Sequence, residues 1–406
     1  MAHVSPLRDH HLQEEASLIP YGPPGTDIEL VESYGELDFE YAALRKACVL
    51  IDLPSRGVLE VRGGDRVDFL QNMLTQNLRG ASPLEAGAVR QSFWLNRKGR
   101  IEADLTLAEL GDRLLIDLDA HVAGATAASL TQFLFSEDVE IRDATPDLHR
   151  LALYGPTAPA LLLGASGPPR GGELPRLAVQ DLLDGTCTEV EIAGAPVAVF
   201  RRDSAGEVGL ELVVPTEAAG DVYRRLLDVG KPDEATRADA PAARIKLRES
   251  GWLAYNTARI EAGEPLFLID FGPDNVPAET GELLGRRVDF RKGCYLGQEV
   301  VARMHARGNP KQVLVALKPT GERLLSEDGF PRQPVGGAQV FSADDPTGNP
   351  IGGVTSSTIS PMLGGEPVCF AIVRFAFSKP GTEVYVMAEG DRVKAVVHDG
   401  LRFLRK

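Results

Sequence analysis

Apolar positions recur along the chain with two periods, and the period changes from element to element. Cys48-Val49-Leu50-Ile51 and Val58-Leu59-Glu60-Val61 read as strands. Gly63-Gly64-Asp65 then turns the chain. Val67, Leu70, Leu74 and Leu78 follow as the broad stripe of a helix, with Asp65 as its expected cap. Ser92-Phe93-Trp94-Leu95 and the run from Ile101 to Leu107 read as a hairpin turning at Asn96-Arg97-Lys98-Gly99. In its second strand Ile101, Ala103, Leu105 and Leu107 share one face, and Glu102 and Asp104 the other. Leu114-Leu115-Ile116-Asp117-Leu118 predicts a further strand, and the Ala-rich residues 121–135 a helix.

Val139-Glu140-Ile141 and Leu151-Ala152-Leu153-Tyr154 predict strands, and a helix through Leu163 follows with Thr157 as its cap. Residues 164–176 are a Gly/Pro-rich loop. Glu189 to Phe200 reads as a hairpin. Gly206-Glu207-Val208-Gly209 leads into Leu210-Glu211-Leu212-Val213-Val214, where a carboxylate interrupts an apolar run. A buried carboxylate costs several kcal/mol unless paired, so Glu211 is either a ligand contact or an outward-facing strand residue. Helices are expected over 218–229 and 240–249, and a long functional loop over 264–290. Beyond Gly308-Asn309-Pro310, six short β-type runs separated by turns predict a small barrel.

Composition narrows the class. With 43% hydrophobic and 25% charged residues the chain reads as globular, with two or three domains. No apolar run is long enough to span a membrane, and the first residues lack an apolar signal core. Residues 1–26 read as a polar, poorly ordered arm. Cys48, Cys187, Cys294 and Cys369 lie far apart, which argues against a disulfide framework and a metal site and for a reducing cytoplasm. The net charge of −15 disfavours nucleic acid and anionic membranes as partners. Residues 286–311 run against it, with seven Lys/Arg and two acids. That strip suits a small polyanion, or is a solvated helix face with its flanking turns.

Within the strip lies Arg291-Lys292-Gly293-Cys294-Tyr295-Leu296-Gly297-Gln298-Glu299. Gly293 and Gly297 read as tight backbone turns. Val300, Val301 and Met304 then recur at helical spacing. Cys294 falls just before that helix and beside Lys292, and both the helix dipole and a neighbouring cation favour a thiolate. The competing reading is a small buried residue at a corner.

Lys-Gly-Cys-Tyr-x-Gly-Gln-Glu is similar to the signature of the YgfZ-type folate-binding proteins, relatives of the glycine cleavage T-protein (GcvT, aminomethyltransferase). Leu95-Asn96-Arg97-Lys98-Gly99-Arg100, Tyr154-Gly155-Pro156-Thr157-Ala158, Gly206 to Glu211, Arg259 to Gly263 and Thr355 to Pro361 resemble further family segments in the same order. The resemblance implies an α+β fold, a three-lobed GcvT/YgfZ-like ring with a small C-terminal β-barrel. The lobes would be residues 31–145, 146–308 and 309–406, after an arm at 1–30. It implies tetrahydrofolate, in mono- or polyglutamyl form, as cofactor, with Glu211 on the pterin. Tyr255, Arg259, Arg291 and Arg303 are the other expected folate contacts, Tyr255 standing where T-proteins carry Arg. T-proteins also carry an Asp-Asp pair, one member catalytic, where this chain has Ala103-Asp104.

The leading expectation is a cytoplasmic, monomeric tetrahydrofolate-binding protein that assists iron–sulfur cluster assembly or repair. Its partners would be folate and iron–sulfur client or assembly proteins. Cys294 is its expected working thiol, helped by Lys292 and Arg291. Two alternatives stand beside it. One is a folate-dependent aminomethyltransferase, for which Asp104 is the candidate acid or base. The other is a non-catalytic folate-binding scaffold.

Overall fold

The computed structural model describes residues 4–167, 182–230, 246–321 and 324–404. The chain divides into two units, Met1–Ser92 with Asp104–Tyr255, and Phe93–Ala103 with Asn256–Lys406. The loop expected over 164–176 lies outside the described residues from 168 onward. The helix expected over 240–249 lies outside them up to 245. Its described end, Leu247–Glu249, is instead a strand parallel to Cys48–Asp52.

A six-stranded sheet forms the centre of the first unit. Its order is Cys187–Ile192, Ala195–Arg201, Gly209–Pro215, Leu148–Tyr154, Cys48–Asp52 and Leu247–Glu249. Alternation sorts its side chains onto two faces. Leu210, Leu212 and Val214 enter a core with Leu151, Leu153 and residues of the helices Ala158–Ala165 and Ala219–Gly230. Val213, Ala198 and Phe200 enter a second core with Val58, Ala108 and Leu115. Those last three come from a five-stranded sheet ordered Val89–Leu95, Ile101–Glu109, Leu114–Asp119, Arg56–Arg62 and Glu140–Asp143. Glu211 sits on the strand between Leu210 and Leu212, so alternation sends it toward this second, inter-sheet face.

Residues 4–30 are not an unstructured arm. Arg8–Gln13 is a helix, and Ser17–Pro20 pairs with Glu29–Ser33. His11 is 2% exposed, with Nε2 2.9 Å from Asp52 Oδ2 and Nδ1 2.8 Å from the Tyr34 hydroxyl. His149 Nε2 lies 2.5 Å from the other Asp52 oxygen. Burial would raise the Asp52 pKa, but His149 and His11 outweigh it and hold the carboxyl well below its ordinary range. Two expected caps also differ. Asp65 and Thr157 precede their helices without a capping bond. The Asp65 carboxylate instead accepts from the Asp138 N–H at 2.9 Å, an interaction across the fold that local sequence does not show.

In the second unit, six strands close a barrel in the order Gln312–Thr320, Glu366–Arg374, Gly352–Ser360, Gln339–Ser342, Glu383–Ala388 and Asp391–Val397. Its interior is aliphatic, with Leu317, Val340, Val354, Val373, Val386 and Val393 among its members. The run from Thr355 to Ser360 is strand, and the turn follows at Pro361–Leu363. The expected loop over 264–290 contains a 3₁₀ turn, Pro277–Glu279, and a short helix, Leu283–Arg287. Among the described residues no helix is long and apolar enough to cross a membrane.

Candidate functional site

Glu211 is fully buried, and its carboxylate is already engaged. Oε2 accepts from Arg150 Nη2 at 2.6 Å. Oε1 accepts from Arg202 Nε at 2.9 Å and from the Tyr154 hydroxyl at 3.0 Å. Asp117 joins the cluster, 2.6 Å from Arg56 Nη2, 3.3 Å from Arg150 Nη2 and 3.7 Å from Arg202 Nη1. Three guanidinium groups thus surround two carboxylates. Burial would raise the Asp117 pKa, but Arg56, Arg150 and Arg202 outweigh it and hold it at about 2. Burial works against the Arg202 charge too, yet Glu211 and Asp117 raise its pKa well above the ordinary arginine value.

Arg150 is the least satisfied member. Its Nε and Nη1 are buried without a hydrogen-bond partner. Its guanidinium carbon lies 4.5 Å from the centre of the Phe200 ring. Unpartnered buried donors are uncommon and call for an explanation. Tyr255 reaches the rim of the cluster. Its hydroxyl is 3.3 Å from Ser204 Oγ, which donates to the Tyr154 hydroxyl at 3.1 Å, and the two tyrosine rings lie 5.3 Å apart. Glu211 and Tyr255 are therefore brought together.

The other expected contacts all belong to the second unit. Arg259 belongs to the second unit and is buried. Its Nη1 donates to Asp270 at 2.7 Å, its Nη2 to Ser356 at 2.7 Å and its Nε to Asn256 at 2.9 Å. Such a fork ties the segment after its helix to a barrel strand, so Arg259 is a pin between elements rather than an open ligand contact. Arg291 and Arg303 have side chains 94% and 68% exposed. Ala103 is fully buried, while its neighbour Asp104 is half-buried on the opposite face of the strand Ile101–Glu109.

The cysteine segment lies in the second unit, where the helix Gln298–Arg307 begins as its spacing predicts. Gly297 caps it at φ 79°, a left-handed conformation that favours glycine. A Cβ there would lie 2.7 Å from the Asn96 carbonyl oxygen, and one at Gly99 would lie 2.8 Å from Val300 Cβ. The two glycines therefore let the hairpin tip approach the helix start. Gly293, read as a second tight turn, has no left-handed φ. Cys294 is exposed, whereas Cys48, Cys187 and Cys369 are buried. Burial pushes the thiols of Cys187 and Cys369 up to about 12. Lys292 turns inward, its Nζ 5.2 Å from the centre of the Tyr295 ring. Burial lowers its pKa to about 8, with Asp289 opposing the shift. Among the described residues no group of His, Cys, Asp and Glu is arranged to hold a metal ion.

Arg56, Asp117, Arg150 and Arg202 are the residues that sequence reasoning passed over. Two of them carry the signal that singled out Glu211. Asp117 interrupts Leu114-Leu115-Ile116, and Arg150 precedes Leu151-Ala152-Leu153. A charge in an apolar strand needs a partner of opposite sign, and these are one another's partners.

The family model for the GCVT N-terminal domain matches residues 27–292, and that for the glycine cleavage T-protein C-terminal barrel domain matches residues 323–402. An aminomethyltransferase of Cutibacterium acnes is 30% identical over 88% of this chain and 88% of its own. Another, of Synechococcus, is 30% identical over 92% of each. The crystal structure of glycine cleavage system aminomethyltransferase T from Bartonella henselae superposes with a TM-score of 0.79 at 26% identity, covering 100% of this chain and 98% of that one.

Proposed function

The chain belongs to the glycine cleavage T-protein family, and we propose that within it this protein binds tetrahydrofolate and works through the Cys294 thiol in iron–sulfur cluster assembly or repair. Aminomethyltransferases of this family use tetrahydrofolate. Its reduced ring, when bound, supplies the nitrogens that carry a one-carbon unit. The ring presents amino and N–H donors beside an oxo acceptor. Glu211 offers a carboxylate acceptor, and Arg150 has unused donors, so the donor set suits such a heterocycle.

Ala103 is the residue that supports this reading over aminomethyl transfer. It occupies the first position of the pair that the family resemblance aligns with two aspartates, and it is fully buried. Asp104 faces the other way, and a strand cannot turn one side chain to the opposite face without slipping its register. The chain thus lacks the first carboxylate and carries an exposed cysteine at the mouth of a helix.

The names of the relatives favour the second reading, aminomethyl transfer, across nearly their whole length. One experiment separates the two. An aminomethylated carrier protein is incubated with tetrahydrofolate and this protein, and ammonia and methylene-tetrahydrofolate are measured. The expected result is no release above background. Cys294→Ala should meanwhile fold, bind folate as the wild type does, and fail to mature an iron–sulfur client. Rapid release gives the second reading the better claim, and full client maturation by Cys294→Ala removes Cys294 from the mechanism.

A further inference from the structure

We infer that a recess at the open seam of the barrel, within the second unit, binds a primary ammonium group carried on an apolar body. None of its residues is among those expected to contact folate or to act with Cys294.

The strand Gln312–Thr320 pairs with Glu366–Arg374 over residues 312–317, but with Asp391–Val397 only over residues 317–320. One further bond, from the His398 N–H to the Ala316 carbonyl at 2.8 Å, ends the seam. The chain then bends at residues 399–401. Beside residues 313–316 this leaves a recess of about 350 Å³, with Phe375 and Leu401 as further apolar walls. Its size and lining are those of a small-molecule pocket, whereas the gaps in a packed core hold little more than a water molecule.

Among the described residues its polar members are Glu282, Ser378, His398 and Asp399, with no Lys or Arg. Their hydrogen bonds decide what each can still offer. The Ser378 hydroxyl donates to the Phe375 carbonyl at 2.8 Å, so its oxygen is left to accept. His398 Nδ1 lies 3.2 Å from the Gly400 carbonyl, which can only accept. The ring proton is therefore on Nδ1, and Nε2 of the neutral ring is an acceptor. Glu282 Oε2 accepts from the Leu401 N–H at 3.3 Å, and Oε1 has no hydrogen bond among the described residues. Asp399 is exposed, and among the described residues its carboxylate has neither a hydrogen bond nor an ion pair. All four side chains thus accept and none donates. A carboxylate or phosphate ligand meets repulsion here. A primary ammonium brings three donors and a positive charge, and its stem can lie against Phe375 and Leu401.

Phenethylammonium is the probe, with phenethyl alcohol and phenylpropionate as its neutral and anionic matches. Each is titrated against the full chain by ligand-observed NMR. The ammonium should bind about tenfold more tightly than the alcohol, and phenylpropionate should not bind. Glu282→Gln combined with Asp399→Asn removes both charges and keeps an acceptor for the Leu401 N–H. It should weaken ammonium binding about tenfold. Glu217→Gln, at an exposed acid of the first unit, should leave it unchanged. Equal affinity for ammonium and alcohol, tight binding of phenylpropionate, binding of no probe, or unchanged affinity in the double variant overturns the inference. So does an equal loss in Glu217→Gln, which marks general attraction to an acidic protein. Should the double variant fail to fold, Asp399→Asn decides, with an expected loss of about threefold, and an unchanged affinity there overturns the site.

Discussion

Lys292 shows how much a single side chain's meaning depends on where it points. Beside Cys294 in sequence, it reads as a cation neighbouring the thiol. In the fold it is turned over the Tyr295 ring, and burial lowers its pKa to about 8. Only the neutral amine reacts with acylating reagents, so Lys292 should label with a midpoint near pH 8, while an ordinary lysine labels near 10.5. Peptide mapping after brief acetylation across pH 7–11 reads this directly; a midpoint at the ordinary value would place the ammonium in solvent. The carboxylates tell the same story. Asp117 and Glu211 each interrupt an apolar strand, which marks them in sequence as needing partners, but not which partners. Arg150 lies 61 positions from Glu211, and only the pairing of their strands brings them together.

Among the elements, the largest difference from expectation is the N-terminal helix Arg8–Gln13. Six residues, two of them His, form no amphipathic pattern long enough to identify a helix. What holds it is tertiary. His11 enters a buried cluster with Asp52, His149 and Tyr34, and the Ser5 hydroxyl also donates to Asp52. His11→Ala removes one partner of a buried carboxylate and should destabilise the protein by about 2 kcal/mol. Urea unfolding followed by circular dichroism measures it, and an unchanged midpoint would make this segment an appendage after all. The barrel is the opposite case. Its six strands coincide with six apolar runs between turns, because each strand needs only an inward face and a turn on either side, and both are local.

At the scale of the whole molecule, the protein carries a net charge of −15 yet buries opposed charges deep in its first unit. Asp117 is held at about 2 against an ordinary value of 3.8. Its contribution to stability, about 2 kcal/mol, is present above pH 4 and is lost as the pH falls toward 2. Asp52, also depressed, loses its contribution in the same direction. Acid should therefore unfold the first unit between pH 4 and 2, and Asp117→Asn, less stable at neutral pH, should show a shallower loss across that window. Near-UV circular dichroism during acid titration gives the comparison, and an equal slope in the variant would remove Asp117 as a cause.

The sequence by itself determined most strands, the barrel, the helix after Gly297 and the family segments in their order, since these depend on periodicity and on residues adjacent in the chain. It also marked Glu211 and Cys294 for attention. Only the tertiary structure decided that Glu211 is engaged by Arg150 and Arg202, that Arg259 is a pin and that Arg8–Gln13 is a helix. It alone turned Lys292 inward. Each of these rests on which strand lies beside which and which face is covered. Neighbours in space separated by tens or hundreds of residues leave no periodic trace in the chain.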